Sequence, residues 1–406
     1  MKRISLVIFN EKYWDKGLIY NQNIKPLLTI KKKHPDINIR LISFTPIIML
    51  LYKYKIIKSA ESNLKSEGVK TINLPLFFFP VRCMAMRWYL IPILYINVFP
   101  YLLIFNVIDM ILGKREIYNL RSYIPALIFS TLYFKKDSLF FDTRTDFIVE
   151  QLNIERWSKS SLSHNFWIRA EKYIINHTAK TFFISDVQKN DTLNRHSIEN
   201  DENKFLIFYN PIDVKLIDSC VDQERVCDFV YSGSLGNWNN LDQYLTFFLQ
   251  IKPYFTNAKF YILTGTNHKL FKHTVDSDKY DPIRNDIIII FNAAPQEIFK
   301  IYKKVTYGLQ IMSKTDSRVG VKVVEYIASG VIPIVSDNVL GACALITKYD
   351  VGLIYNGEVD DSFVEKMKLK VHDSELQRKQ ENVKKIINID NYSQRLFDSY
   401  NFVNCQ

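Results

Sequence analysis

The chain has 406 residues, 48% of them hydrophobic, with a formal net charge of +11. That apolar content excludes a disordered chain, and the length is enough for two domains with separate cores. The five cysteines (Cys83, Cys220, Cys227, Cys343, Cys405) form no CxxC pair, which argues against a thiol zinc site or a disulfide framework and suits free thiols in a reducing compartment.

The chain opens with MKRISLVIFNEKYW, whose apolar run from Ile4 to Phe9 is cut short by Glu11 and Lys12. It is too short for a signal-peptide core and reads as a first strand. A helix-like run from Ile24 to Ile30 and the strand INIRLISF follow, giving a strand, helix, strand opening. Residues 71–113 then carry only Arg82, Arg87 and Asp109 as charges among many aromatic and aliphatic side chains. From Trp88 to Leu112 this stretch is long enough to span a bilayer, yet Pro92, Asn97, Pro100, Asn106 and Asp109 interrupt it. A membrane span, a buried helix pair and an interfacial surface beside Lys31, Lys32, Lys33, Lys53, Lys55 and Lys58 are the three readings it allows.

Short apolar strands recur at SLFFD (Ser138 to Asp142), KTFFIS (Lys180 to Ser185) and FLIFYN (Phe205 to Asn210), the alternation expected of a parallel sheet covered by helices. NLRSYIPA and FFDTRTDFIVEQ set Arg121, Asp142, Arg144 and Glu150 at or after strands, where they line a crevice or form surface ion pairs. After the acidic stretch Asp213 to Glu224 the rhythm restarts with CDFVYSG, KFYILTG, DIIIIFNAA, TYGLQIM and VIPIVSD, a second doubly wound domain. The expected divisions are 1–210, a linker at 211–225, a second domain at 226–390, and a final helix at 391–406 packing back on the first domain. Residues 1–200 hold 29 Lys+Arg against 16 Asp+Glu and the remainder 24 against 26, so the basic character lies in the first half. Such a half can face an anionic membrane, an anionic substrate or nucleic acid.

Two turns in the second half carry chemistry. FVYSGSLGNW places Gly233, Ser234 and Gly236 between a strand and a helix, where backbone N–H groups can approach a phosphate. In TDSRVGVKVVEYIASG, the residues Thr315, Asp316 and Ser317 can cap a helix whose apolar stripe is Val321, Val324, Ile327 and Ala328. Arg318 and Lys322 add positive charge near its start, suited to a diphosphate leaving group. Glu325, one turn on, can accept hydrogen bonds from two neighbouring sugar hydroxyls; an exposed ion pair with Lys322 is the alternative. The seven histidines are dispersed, His268 and His273 being the closest pair, and Asp276 and Asp278 lie in a polar loop, so no metal site is expected. Neither a P-loop nor a GxSxG turn occurs.

Together these blocks resemble the family-4 retaining glycosyltransferases of the GT-B fold, in the branch that builds bacterial surface polysaccharides. SRVGVKVVEYIASGVIPIVSDNVLG is similar to the family's donor-site helix and following strand, while YSGSLGNW, FFDTRTDF, FFISDVQ, YNPID and NVLGACALITKYDVGLIY match in order and spacing. The resemblance implies an α/β GT-B chain, two Rossmann-like doubly wound domains facing across a cleft. It further implies a UDP- or GDP-linked nucleotide-sugar as substrate, held mainly by the second domain, an acceptor on the first, retention at the sugar carbon, and neither metal nor other cofactor. Glu325 matches the second acid of the family's acid, seven residues, acid signature and would hold the donor ribose, whereas Ser317 stands where the first would be. Asn239 or Asn240 replaces the usual lysine after the glycine turn, leaving Lys322 and Arg318 for the diphosphate.

The donor set so implied is Gly233, Ser234, Gly236, Asp316, Ser317, Arg318, Lys322 and Glu325, with Lys322, Glu325, Asp142 and Arg144 closest to the chemistry and Arg121 and Glu150 toward the acceptor. The expected function is transfer of a sugar to a lipid-linked or saccharide acceptor in capsule, O-antigen or exopolysaccharide synthesis. The expected setting is cytoplasmic, peripheral to the inner face of the cell membrane, with no nucleic-acid partner. An epimerase of the same fold and a non-catalytic partner protein that kept the fold are the alternatives.

Overall fold

The computed structural model of the protein describes residues 3–15, 17–77, 87–111, 116–221, 223–236, 239–266 and 272–401. The chain divides into two compact units. The first takes Met1–Ile184, Gln188–Pro211 and Ile389–Gln406, and the second Ser185–Val187 and Ile212–Asn388.

The first unit is built on a seven-stranded sheet of β1 (Arg3–Phe9), β2 (Asn38–Pro46), β3 (Val69–Leu76), β4 (Glu116–Arg121), β5 (Leu139–Asp142), β6 (Lys180–Phe183) and β7 (Phe205–Ile207), in the order β3-β2-β1-β4-β5-β6-β7. Every pairing is parallel. Runs such as LVIF and LFFD are buried on consecutive residues, because helices cover both faces of a parallel sheet. One face packs Val7, Tyr118, Phe129, Phe141 and Trp167; the other packs Leu6, Leu28, Phe140, Tyr392 and Tyr400. The last two belong to the helix Ile389–Asn401, which contacts the helix Lys25–Lys33.

The second unit holds a six-stranded sheet of β8 (Val226–Ser232), β9 (Phe260–Thr264), β10 (Ile287–Phe291), β11 (Val305–Gln310), β12 (Ile332–Ser336) and β13 (Leu353–Tyr355), in the order β10-β9-β8-β11-β12-β13. It too is wholly parallel. In both sheets the strand order reverses once, between β1 and β4 and between β8 and β11. A crevice opens beyond the carboxyl ends of the strands at such a reversal, which is where ligands of open α/β sheets bind.

Several elements depart from the sequence reading. β3 and β13 were not anticipated, β3 because residues 71–76 read as the start of the lipid-like stretch. Residues 78–86 and 112–115 of that stretch and its flank lie outside the described residues, as do Cys83, Asn237, Trp238, His268 and Cys405. The charged segment near Glu365 to Ile387, which reads in sequence as one helix, is two, Asp361–Val371 and Leu376–Ile387, because Asp373 stops the run: its carboxylate accepts the Glu375 N–H at 2.9 Å and the Lys379 ammonium at 2.8 Å. The acidic stretch after Asp213 contains a short helix, Val214–Asp218.

Candidate functional site

In the second unit, β8 runs into Gly233 and β11 leads to the turn before the helix Val321–Ala328, so both lie at the strand-order reversal. This helix buries Val323, Val324, Tyr326, Ile327 and Ala328, while Val321 is only half-buried. The inward stripe is therefore displaced from the expected one, and Tyr326 explains the shift. Its ring lies over Gly308 of β11 so closely that a Cβ there would meet it at 2.5 Å. Its hydroxyl accepts the Ser232 N–H at 3.2 Å, which ties the helix to the end of β8.

That anchoring sets where the next face of the helix points. Lys322 reaches back toward the glycine turn. Its ammonium lies 4.4 Å from the centre of the Tyr231 ring and donates to the Tyr231 hydroxyl and to Asn239 Oδ1, both at 3.4 Å. A Cβ on Gly233 would stand 3.2 Å from the ammonium, and Gly233 has φ +138°, a conformation costly to any other residue. The turn therefore contributes space more than donors. Gly233 N–H is bound to Leu263 O at 2.9 Å, Leu235 N–H to Thr266 Oγ1 at 2.8 Å and Gly236 N–H to Asn239 O at 3.1 Å, leaving little of the phosphate cradle the sequence suggested. Ser234 fixes the turn through its carbonyl, which accepts the Tyr231 hydroxyl at 2.8 Å.

Glu325 sits one turn further along, with the Tyr302 hydroxyl beside it. Burial pushes the Glu325 carboxyl up to about 7, against the pull of Lys322 and of the Tyr302 hydrogen bond. Burial likewise pushes the Lys322 ammonium down to about 7, with the Glu325 carboxylate acting the other way. Burial thus works against the charge of both groups in one place, a pattern concentrated at functional sites. The N-cap of this helix, Gly320, supplies no side-chain oxygen to the first turn.

The 316–318 turn is arranged differently from expectation. Arg318 was expected to add positive charge for a diphosphate, but Asp316 holds its guanidinium, with Nε to Oδ1 at 2.8 Å and Nη2 to Oδ2 at 2.9 Å. Two residues apart in a tight turn, their side chains face each other, so Asp316 is also committed rather than free for a sugar hydroxyl. Ser317 is buried with its Oγ unbonded among the described residues. The turn is held from behind by Gly341, where a Cβ would lie 2.1 Å from Ser317 O. A polar cavity of about 430 Å³, lined by Asp242, Lys279, Met312, Asn338, Tyr355 and Asn356 among others, opens at the ends of β11, β12 and β13. Its rim joins the turn through the Asp316 N–H, which donates to Asn338 O at 3.0 Å.

In the first unit, the structure brings Arg121, Asp142 and Arg144 together at the ends of β4 and β5. Arg121 Nε donates to Glu11 Oε2 at 2.9 Å, and its other nitrogens bond Asn23 Oδ1 and, at 3.1 Å, Gln22 Oε1. Asp142 Oδ2 accepts Asn23 Nδ2 at 2.8 Å and Arg144 Nε at 2.7 Å. Arg144 also donates to the Tyr392 hydroxyl at 2.8 Å, while its buried Nη1 has no partner among the described residues. Burial opposes the Arg144 charge, but Asp142 and Tyr392 outweigh it and raise its pKa.

Strained backbone surrounds this network. Asn10, Ser122 and Arg144 all have positive φ just beyond β1, β4 and β5, and Tyr20–Ile24 is a π-helical turn that delivers Gln22 and Asn23. Such features gather at functional sites. The sequence pointed to the two arginines and Asp142 but not to Glu11, Gln22, Asn23 or Tyr392, which come from distant segments. Glu150 accepts the Thr145 hydroxyl at 2.7 Å. Among the described residues no three His, Cys, Asp or Glu side chains converge as metal ligands would.

Residues 222–386, nearly all of the second unit, match the family model of glycosyl transferases group 1. No curated protein matches the sequence. The whole chain has the GT-B fold and superposes on several solved structures. A glycosyltransferase from Rickettsia africae aligns with TM-score 0.64 and 12% identity over 100% of this chain and 99% of its own. The sucrose-phosphate synthase of Thermosynechococcus elongatus aligns with TM-score 0.66 and 12% identity, covering 99% of each chain. HepE of Anabaena in complex with UDP aligns with TM-score 0.62 and 10% identity over 99% of this chain and 100% of its own.

Proposed function

We propose that the protein is a retaining glycosyltransferase that moves a sugar from a nucleotide-sugar, UDP- or GDP-linked, to a lipid-linked or saccharide acceptor in the synthesis of a cell-surface polysaccharide. The observation that carries this reading is the Lys322 ammonium lodged against Gly233 at the strand-order reversal, with Glu325 one helical turn away. The group 1 family match over this unit supports the glycosyl-transfer chemistry, and HepE, a structural relative, binds UDP and UDP-glucose.

In this reading Lys322 and the uncapped start of the 321–328 helix meet the diphosphate, and Glu325 accepts the ribose hydroxyls. The bond between the sugar carbon and the diphosphate oxygen breaks while the acceptor oxygen bonds to the same face of that carbon. The acceptor's hydroxyl proton passes to the departing diphosphate oxygen, so charge and atoms balance without a protein base. The positive charge of Lys322 and the helix N-terminus stabilise the negative charge gathering on the leaving group. On this account no metal is required. In the first unit, the network of Arg121, Asp142 and Arg144 at the ends of β4 and β5 is where the acceptor would bind.

The test is nucleotide release from UDP-, GDP-, ADP- and CMP-sugars, with a chelator and a membrane extract present, for the native protein and Glu325→Ala. Release from one donor that depends on the extract and is lost in the variant is the expected result. Conversion of the donor with no acceptor present would mean an epimerase. Absence of both release and donor-induced thermal shift would refute the donor site.

A further inference from the structure

We propose that the first unit rests on an anionic lipid bilayer through the helices Ile47–Tyr52 and Ile91–Ile111, with the longer helix lying in the plane of the headgroups instead of crossing the membrane. This gives the lipid-linked acceptor of the preceding reading a location, but it stands on separate observations.

The 91–111 helix is long and apolar enough to cross a membrane by length and composition, at about 1.5 Å per residue. Its inward stripe rules that use out. Ile91, Leu94, Val98, Leu102, Asn106 and Asp109 are buried against the first unit's own core. The two polar members are locked in place. Asn106 donates to Leu132 O and accepts the Phe134 N–H, both at 2.9 Å. Asp109 accepts the hydroxyls of Tyr118 at 2.9 Å and Tyr133 at 2.6 Å. Insertion across a bilayer would break all four bonds and carry a carboxylate into hydrocarbon.

The outward face is as apolar as the inward one, which a water-exposed helix does not need. Ile96, Ile104, Met110 and Ile111 are 73%, 53%, 69% and 72% exposed, and Asp109, on the inner side, is the helix's one charged residue. A second element continues this surface. The 47–52 helix buries none of its residues and leaves Ile48 and Leu51 69% and 72% exposed. It springs from the end of β2, beside the end of β3, where the Phe77 N–H donates to Asn97 Oδ1 of the long helix at 2.8 Å.

Charge identifies the occupant. Exposed Tyr52, Tyr54, Trp88 and Tyr89 edge the apolar surface, with Lys53, Lys55 and Lys58 among them, and the Lys53 ammonium lies 4.9 Å from the Tyr52 ring centre. Aromatic rings beside lysines are the composition of a headgroup-level belt, and the lysines favour anionic lipid. A second copy of the chain would bring like charges to the same rim.

Flotation with phosphatidylglycerol and phosphatidylcholine vesicles tests this. The native protein should float with the anionic vesicles and less with the neutral ones. A Leu51→Ser, Ile104→Ser, Ile111→Ser variant should bind more than about tenfold more weakly, and Lys53→Glu with Lys55→Glu should remove the preference for anionic lipid. Fluorophores placed by Phe99→Cys and Ile108→Cys, with the other cysteines replaced, should be quenched by brominated lipids at the same shallow depth. The proposal is overturned if the native protein floats with neither vesicle, if the serine variant floats as the native does, if the two labels report a span, or if the serine substitutions instead dissolve a dimer. Thermal shift by UDP, read in every variant, reports on folding and on the donor site separately, so failure of one reading is not mistaken for failure of the other.

Discussion

Replacing Lys322 by methionine keeps the length of the side chain and removes its charge, which isolates what the ammonium does. Its two hydrogen bonds are both 3.4 Å long, near the outer limit for such contacts. Little internal bonding is lost when it turns to a phosphate. One or more charge-assisted hydrogen bonds at about 1.5–3 kcal/mol each convert to a loss of roughly 10- to 100-fold in affinity for a nucleoside diphosphate. A nucleoside without phosphate should bind the variant as it binds the native protein. The pH dependence is a sharper signature. With the ammonium held down to about 7, each pH unit above neutrality leaves about tenfold fewer molecules charged. UDP affinity should therefore fall by up to about tenfold per unit above pH 7 in the native protein, and Lys322→Arg, which stays charged, should flatten that slope. Isothermal titration with UDP and uridine between pH 6 and 9 measures both effects. Equal losses for UDP and uridine in the methionine variant, or a flat native profile, would refute the assignment of Lys322 to the diphosphate.

The pair also leaves a mark on stability without ligand. Glu325 binds its proton more tightly when folded, at about 7 against 4.5, so its contribution falls as pH rises from 4.5 to 7. Lys322 binds its proton less tightly when folded, at about 7 against 10.5, so its contribution rises from pH 7 to 10.5. The urea midpoint of the native protein minus that of a Lys322→Met, Glu325→Gln variant should pass through a minimum near pH 7. Gly233→Ala should abolish the UDP-induced thermal shift, since its Cβ would crowd the ammonium at 3.2 Å at φ +138°, with a strain of about 1–3 kcal/mol visible in the melting temperature. Gly341→Ala, whose Cβ would meet Ser317 O at 2.1 Å, should displace the 316–318 turn and lower both stability and UDP affinity. Tyr392→Phe should cost roughly 1–3 kcal/mol in chemical denaturation by leaving the buried Arg144 short of a partner.

The second sheet was nearly all legible because its strands are short, mostly aliphatic and aromatic runs bounded by turns; only β13, three residues long, escaped notice. In the first sheet, β3 hid behind the apolar stretch that follows it, since a buried strand and the start of a lipid-facing segment share a composition. Lys322 and Glu325 could be picked out by their spacing on an otherwise apolar helix. That the lysine would lean toward Gly233 and Asn239 could not, because it follows from Tyr326 packing on Gly308 of another strand. The Asp316 to Arg318 clasp was open to sequence reading, the residues being two apart, but charge alone does not say whether such neighbours face each other or a ligand. The network around Arg121 and Arg144 draws on Glu11, Asn23 and Tyr392, separated by up to several hundred residues, and no local pattern links them.

The helix Ile389–Asn401 has a consequence for how the protein is made. It completes the first unit, placing Tyr392 and Tyr400 in that unit's core and Tyr392 against Arg144, although residues 212–388 are synthesised in between. At about 5–20 residues per second, a ribosome takes roughly 10–40 s to go from the end of the first stretch to the residues that close it. For that interval the nascent first unit shows an apolar groove along Phe140, Phe182 and Phe208 and a buried arginine without its phenol, and the second unit's chain is complete at Asn388, before the first unit's. The order of maturation is thus the reverse of the order of synthesis, and this is where a chaperone, or a premature stop codon, would have its largest effect.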